Sequence, residues 1–278
     1  MTDSAAYIQR LLEANPLREP LFRSAMQALQ LPPGSQGLDV GCGIGLQSLL
    51  LAEAVGCEGR VTGVDIIPEF LALGENLAGQ ASLSERITFR LGDMNRLPFA
   101  ENTFDWAWSA DCIGYPAPAG ELLPLLKELM RVIKPGGSVI ILAWTSQQVL
   151  PGYPLLEAGL NATCSAYLPF LKGKSPELHF SRALQWFQEA GLEEVKAQTF
   201  VGDVQAPLGR AERTALTSLF EMLWAEPQPN GSSEAWSDYQ RLCKPGSADF
   251  ILDQPGYHGF FTYSMFRGRV PHRGTIIE

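Results

Sequence analysis

Leu38-Asp39-Val40-Gly41-Cys42-Gly43-Ile44-Gly45-Leu46-Gln47-Ser48 decides how the chain folds. A short strand-like run leads into glycines at every second position, and a helix-forming run follows. Glycine lacks a Cβ, so the backbone can turn tightly and approach a ligand, while the next helix presents N-terminal amides with no intrahelical partner. That geometry receives a nucleotide-like ligand. The spacing is Gly-x-Gly-x-Gly, whereas the dinucleotide fingerprint is Gly-x-Gly-x-x-Gly, whose third glycine serves helix–strand packing near a pyrophosphate. Asp65, in Gly63-Val64-Asp65-Ile66, ends the next apolar run, where an acid can accept both hydroxyls of a ribose.

Outward from that turn the pattern alternates. It predicts strand 38–40, helix 46–55, strand 60–66, helix 69–78, strands 87–91 and 104–109, helix 121–133, a Lys134-Pro135-Gly136-Gly137 turn and strand 138–144. Strands alternating with helices imply a parallel sheet. On the helix from Glu121, Leu122, Leu126, Leu129, Met130 and Ile133 form one apolar face to lay on that sheet. Upstream, two short amphipathic stretches flank Asn15-Pro16 and read as a helical arm. Downstream, residues 151–170 are apolar and aromatic, helix 181–190 ends at Gly191, and 193–201 reads as a strand. Candidate helices 211–225 and 233–242 read as a helical cap, and Gly259 to Val270 as a strand that closes the sheet's edge. The divisions are 1–36 for the arm, 37–145 for the ligand-binding core, and 146–278 for the rest of the core with an inserted helical cap over a substrate pocket.

Composition narrows the function. In 278 residues, 46% are hydrophobic and 18% charged, which excludes a disordered tail protein. The net charge is −9 and no Lys/Arg run offsets it, so nucleic acid is not an expected partner. Five cysteines, widely spaced and without a Cys-x-x-Cys pair, point to a reducing, cytoplasmic setting. The N-terminus lacks a signal-peptide pattern, and no apolar run is long enough for stable membrane insertion. The three histidines, His179, His258 and His272, stand in no metal-ligand spacing, so no metal is expected.

With the motifs in view, the chain resembles the class I S-adenosylmethionine-dependent methyltransferases, and is similar to the ubiquinone/menaquinone-biosynthesis group. LDVGCGIG resembles the first family motif, GVDI the second, LGDMNRLPFAENTFDWAWS the third and RVIKPGGSVIILAW the next, all in the family's order. The resemblance covers 37–144 and, more weakly, 181–201. It implies a Rossmann-like, doubly wound, mostly parallel seven-stranded α/β sheet with helices on both faces. It implies S-adenosyl-L-methionine as cofactor, S-adenosyl-L-homocysteine as product and a small, aromatic or lipophilic methyl acceptor as substrate. Residue by residue, Asp39 with Gly41, Cys42, Gly43 and Gly45 resembles the cradle for the methionine end, Asp65 the ribose acceptor and Ile66 an apolar wall against adenine. Asp93 and Met94 resemble the partners of the adenine edge, and Ser109 the point where the methyl faces its acceptor.

Each position has a plainer reading. Asp39 could cap the turn, Asp65 could cap the helix beginning at Pro68, and Asp93 could belong to ordinary turn chemistry. Cys42 reads as a small packed residue, because no neighbouring cation or base makes a thiolate. Displacement at a methyl sulfonium needs alignment and exclusion of water more than a base. If a base is used, Asp111, Tyr115, His179 and His258 are the candidates. Tyr153, Tyr167, Phe170, Phe220, Trp224 and Trp236 could line an acceptor pocket or pack the cap. Arg18 could meet the cofactor carboxylate or stay solvated. An NAD(P)-dependent oxidoreductase and a non-catalytic S-adenosylmethionine-binding protein are the alternatives.

Overall fold

A computed structural model describes residues 3–113, 122–164, 167–224 and 233–272. In chain order the elements are α1 (Asp3–Leu29), β1 (Gln36–Val40), α2 (Leu46–Ala54), β2 (Arg60–Asp65), α3 (Pro68–Gln80), β3 (Ile87–Leu91), β4 (Phe104–Ala110), α4 (Leu122–Val132) and β5 (Ile133–Gln148). Then come α5 (Pro154–Thr163), α6 (Leu168–Leu171), α7 (Ala183–Ala190), β6 (Glu193–Gln205), α8 (Arg210–Trp224), α9 (Ser233–Cys243) and β7 (His258–Arg269). The strands form one seven-stranded sheet in the order β3-β2-β1-β4-β5-β7-β6. Strands β1 to β5 pair in parallel. Gly136 and Val270 meet near one end of the β5–β7 pair, and Thr145 and Thr262 near the other, so β7 runs antiparallel to β5. The order reverses between β1 and β4, the topological switch point at which open α/β sheets bind ligands.

Contacts divide the chain into two compact units, each assembled from three segments. One comprises 22–144, 177–200 and 264–278 and carries the glycine-rich turn. Its core joins Leu38, Val40 and Val64 of the sheet to Leu126, Leu129 and Val132 of α4 and to Trp186 and Phe187 of α7. The buried face of α4 includes Leu125 and Val132 beside the expected Leu126 and Leu129, while Met130 is only partly buried. Burial inside this unit also uses tight backbone contacts. A Cβ added at Gly37 would lie 1.9 Å from the indole of Trp106, whose Nε1 donates to Ser35 Oγ at 2.9 Å. Gly37→Ala is expected to cost about 1–3 kcal/mol of stability through overpacking, read as a lower urea midpoint with unchanged slope.

The other unit comprises 1–21, 145–176 and 201–263. Its helices pack on Phe220 and Trp224, buried with their rings stacked 5.7 Å apart, and Trp224 Nε1 donates to Asn161 Oδ1 at 3.0 Å. These two aromatics are packing residues.

Three expectations change. The two N-terminal stretches are one helix, α1, with Pro16 and Pro20 inside it. Ala14, Leu17, Leu21, Ala25 and Leu29 are buried along it at helical spacing, and this burial outweighs the proline penalty of about 3 kcal/mol each. The Lys134–Gly137 segment is an excursion inside β5, because the pairing with β4 steps from Phe104↔Ile133 to Trp106↔Ser138. Gly136, at φ 78°, donates its N–H to Val270. Finally, β7 lies inside the sheet and β6 forms the edge.

Candidate active site

The glycine-rich turn adopts the backbone its composition demands. Gly41, Gly43 and Gly45 have φ of 70°, 53° and 78°, left-handed values that cost other residues about 1–2 kcal/mol each. The three are not equivalent. A Cβ at Gly41 would come within 2.3 Å of Cys112 Sγ, and one at Gly45 within 2.6 Å of the Phe89 ring, whereas one at Gly43 would meet no atom of the described residues within 4 Å. Gly41 and Gly45 therefore admit close packing behind the turn, and Gly43 borders open space.

Two carboxylates hold the turn. Asp65, at the end of β2, accepts from Gly43 N at 2.9 Å through Oδ2 and from Ile67 N at 3.0 Å through Oδ1. The bond to Ile67 is an Asx-type turn just before α3, whose own first turn has no side-chain cap, and each Asp65 oxygen keeps a second lone pair. Asp39, on β1, is buried, with Oδ2 accepting from Ser48 Oγ at 2.6 Å and Oδ1 without a hydrogen-bond partner among the described residues. Desolvation, reinforced by the neighbouring charge of Asp65, pushes its carboxyl up to about 7 against the pull of the Ser48 bond. Ser109, at the end of β4, is buried, and its Oγ has no partner among the described residues. Ile66 and Leu91, beyond β2 and at the end of β3, are exposed at 64% and 59%, unusual for large apolar side chains at the end of a packed sheet.

Open space at Gly43, a bare carboxylate oxygen, a bare hydroxyl and an apolar rim fit an adenosyl amino acid. The chain matches the methyltransferase-domain family over residues 38–137. It is also 32% identical over 197 residues to the demethylmenaquinone methyltransferase of Bacillus cereus, an alignment covering 66% of this chain and 81% of that protein. The chain belongs to the class I S-adenosylmethionine-dependent methyltransferases. The fold is similar to that of the YcgJ protein of Bacillus subtilis, with a TM-score of 0.54 and 18% identity over 90% of this chain and 98% of that one. A methyltransferase of Aquifex aeolicus has a similar fold, with a TM-score of 0.53 and 16% identity over 97% and 100% of the two chains.

In this methyltransferase the remaining predicted residues separate. Cys42 is buried, and desolvation together with Asp39 and Asp65 drives its thiol well above the usual range, as expected for a packing residue. Asp93 is exposed, and its Oδ1 takes both the backbone N–H and the side-chain amide of Asn95 at 2.8 Å, so turn chemistry occupies that oxygen. Met94 is partly buried against the core.

Among the base candidates, Asp111 follows β4 at φ 50°, and its Oδ1 accepts from Trp144 N at 3.0 Å, bracing β4 to β5. Asp111→Ala is expected to lose about 1–2 kcal/mol of stability in chemical denaturation, and Asp111→Asn, which keeps an acceptor and tolerates the left-handed backbone, less than half of that. Tyr115 lies outside the described residues. His179 caps a short 3-10 helix, with Nδ1 2.7 Å from Ser181 Oγ. His258 is exposed at the start of β7, in the unit that does not carry the glycine turn. Arg18 is not a solvated side chain, because its Nε donates to the hydroxyl of buried Tyr263 at 2.8 Å.

Ser48 and Cys112 escaped the sequence reading. Ser48 is one turn into α2 and fully buried, and a small hydroxyl there is the available signal for a partner to Asp39. Cys112 packs its thiol on Gly41, and burial with three nearby carboxylates pushes it up to about 12. Among the described residues no group of three or more His, Cys, Asp and Glu could hold a metal, and no helix is long and apolar enough to cross a membrane.

Proposed function

We propose that this chain binds S-adenosyl-L-methionine along the C-terminal ends of β1 to β4 and methylates a small, aromatic or lipophilic acceptor without a metal. The observation that carries this reading is the glycine turn, left-handed at three positions, open only at Gly43 and tied by Asp65. Asp39 and the Gly41–Gly45 backbone hold the amino-acid end, and Cys42 packs behind it. Asp65 takes the ribose hydroxyls on its remaining lone pairs. Ile66 lies against the adenine, Asp93 and Met94 meet its edge, and Ser109 faces the methyl end.

When bound, S-adenosylmethionine supplies a methyl group on an excellent leaving group. The residues of the chain align the acceptor and exclude water, a contribution that can reach about 7–11 kcal/mol without a dedicated base. Asp39 and Ser109 are 1% exposed, so the floor of the site is shielded from water, and that exclusion strengthens electrostatic contacts there. The relative from Bacillus cereus is named for demethylmenaquinone, and a lipophilic naphthoquinol ring is the acceptor class we assign to this chain. Five free cysteines accord with a cytoplasmic location.

Incubation with S-adenosylmethionine and a panel of naphthoquinols, with and without chelator, tests the reading by product mass. A product heavier by one methylene, formed equally in chelator, is expected. Calorimetric binding of NAD with none of S-adenosylhomocysteine would overturn it.

A further inference from the structure

Asp39 is an unusual acid even for a ligand site. It is 1% exposed, and the one hydrogen bond it accepts comes from a neutral hydroxyl, Ser48 Oγ at 2.6 Å. Among the described residues its Oδ1 has no hydrogen-bond partner, and no cation faces it. The groups that face it from the surrounding elements are Ser48 on α2, the Cys42 thiol in the turn, the Cys112 thiol after β4 and the Asp65 carboxylate at the end of β2. None is a cation. Four backbone N–H groups of the turn are committed elsewhere: Gly41 and Cys42 to Val64 O, Gly43 to Asp65, and Gly45 to Cys42 O.

A buried charge with no counter-charge and one neutral donor is not a stable arrangement, and the inexpensive remedy is a proton. On Oδ2 that proton donates to Ser48 Oγ, leaving Oδ1 as a neutral carbonyl oxygen whose missing partner costs far less than that of a carboxylate. We propose that Asp39 holds a proton in the cofactor-free protein, shared with Ser48, and surrenders it to solvent when the α-ammonium of the cofactor's amino-acid end arrives beside Oδ1. No bond to carbon changes. One proton leaves the carboxyl for buffer, and the ammonium supplies the counter-charge that the fold omits. The inference rests on the cofactor reading above and adds to it a proton exchange at one named oxygen.

The upward displacement of the Asp39 carboxyl, to about 7, agrees with this account. Its sign is definite. The folded, cofactor-free state binds the proton more tightly than the unfolded chain, so this group's stabilising contribution is present at low pH and is lost as pH rises through about 7. Cofactor binding has the opposite dependence and tightens as pH rises, until the proton is already gone.

Calorimetric titrations of the full chain in phosphate and in Tris, which differ in ionisation enthalpy, count the protons. The probes are S-adenosyl-L-homocysteine, which carries the α-ammonium without a sulfonium, and 5′-methylthioadenosine, which lacks the amino-acid end. An adjacent cation lowers a carboxyl by about 1–3 pH units, so Kd for S-adenosylhomocysteine should fall about tenfold per pH unit between about pH 5 and 7 and level off above. Roughly half a proton should be released at about pH 7 and almost none at about pH 8.5. Methylthioadenosine should release none. Asp39→Asn, isosteric and without a titrating group, should bind S-adenosylhomocysteine with no proton release and no pH dependence. Ser48→Ala removes a bond that Ser48 donates to the ionised carboxylate and accepts from the neutral acid; the charge-assisted bond is the stronger, so the ionised form loses more and the inflection should move to higher pH. Release of equal size from Asp39→Asn, or with methylthioadenosine, overturns the proposal, as does pH-independent binding to the unaltered chain. Absence of S-adenosylhomocysteine binding at every pH overturns the cofactor reading itself.

Discussion

Asp65→Ala is expected to weaken S-adenosylhomocysteine binding by about 3 kcal/mol, on the order of 100-fold in Kd. Two losses combine. On the proposed reading the ribose loses a charged acceptor, and Gly43 N and Ile67 N lose the carboxylate that ties the turn to the residue before α3. Because those amides border solvent and the crevice rather than the deep core, unfolding free energy should drop by only about 1–2 kcal/mol. Asp65→Asn divides the two roles: one amide loses its acceptor, the turn stays largely held, and binding should fall less steeply. Calorimetry on all three proteins, with urea unfolding of each, reads both quantities. An alanine variant that binds as the parent does would remove Asp65 from the site.

The glycine turn gives a second contrast of similar size. Gly43→Ala introduces a methyl group where no atom of the described residues lies within 4 Å, so its stability cost is the left-handed strain, about 1–2 kcal/mol. That same space is where an adenosyl amino acid would lie against the backbone. Binding is therefore expected to collapse by two orders of magnitude or more, roughly 3 kcal/mol, in a protein that remains folded. Gly45→Ala should behave oppositely. Its Cβ would overlap the Phe89 ring at 2.6 Å and crowd Gly74 Cα at 3.4 Å, so unfolding occurs well below the parent's midpoint and binding weakens in step with structure. If both variants lost stability equally and Gly43→Ala bound normally, the open position would not be a ligand surface.

The Gly43–Gly45 difference also shows where sequence reading stops. Three glycines at alternate positions announce a left-handed turn, but nothing local says which faces Phe89 and which faces open space. That is decided by β3, forty-odd residues downstream. Strands β1 to β4 were legible because short apolar runs end at Gly, Asp or Pro, and the helices between them carry one apolar face. The arm is helical as its pattern implies, but without the break at Asn15-Pro16: proline is a local veto, whereas the burial of Leu17, Leu21 and Ala25 that overrules it comes from the folded protein. In β7, residues between its buried positions are only partly exposed, the mark of an inner strand. In the sequence this shows only as imperfect alternation.

At the site, the acids at strand ends were legible by position, and their condition was not. Asp39 and Asp93 look alike as strand-end carboxylates. One is buried with a bare oxygen, and the other is exposed and wrapped around Asn95. Burial and the orientation of neighbouring amides separate them, and both depend on elements distant in sequence. The same holds for Asp111, whose bond to Trp144 N exists only once β4 and β5 lie side by side.

The internal position of β7 governs the order in which the polypeptide can assemble as it leaves the ribosome. The strand that separates β5 from β6 is translated after both of them and after α8 and α9. Until it emerges, β5 has an open flank and β6 has no sheet to join, so the nucleotide-binding half can pair β1 to β5 while the remainder waits. A chain stalled near residue 257 would leave two ladders of backbone amides unpaired, a substrate for chaperones and for self-association alike.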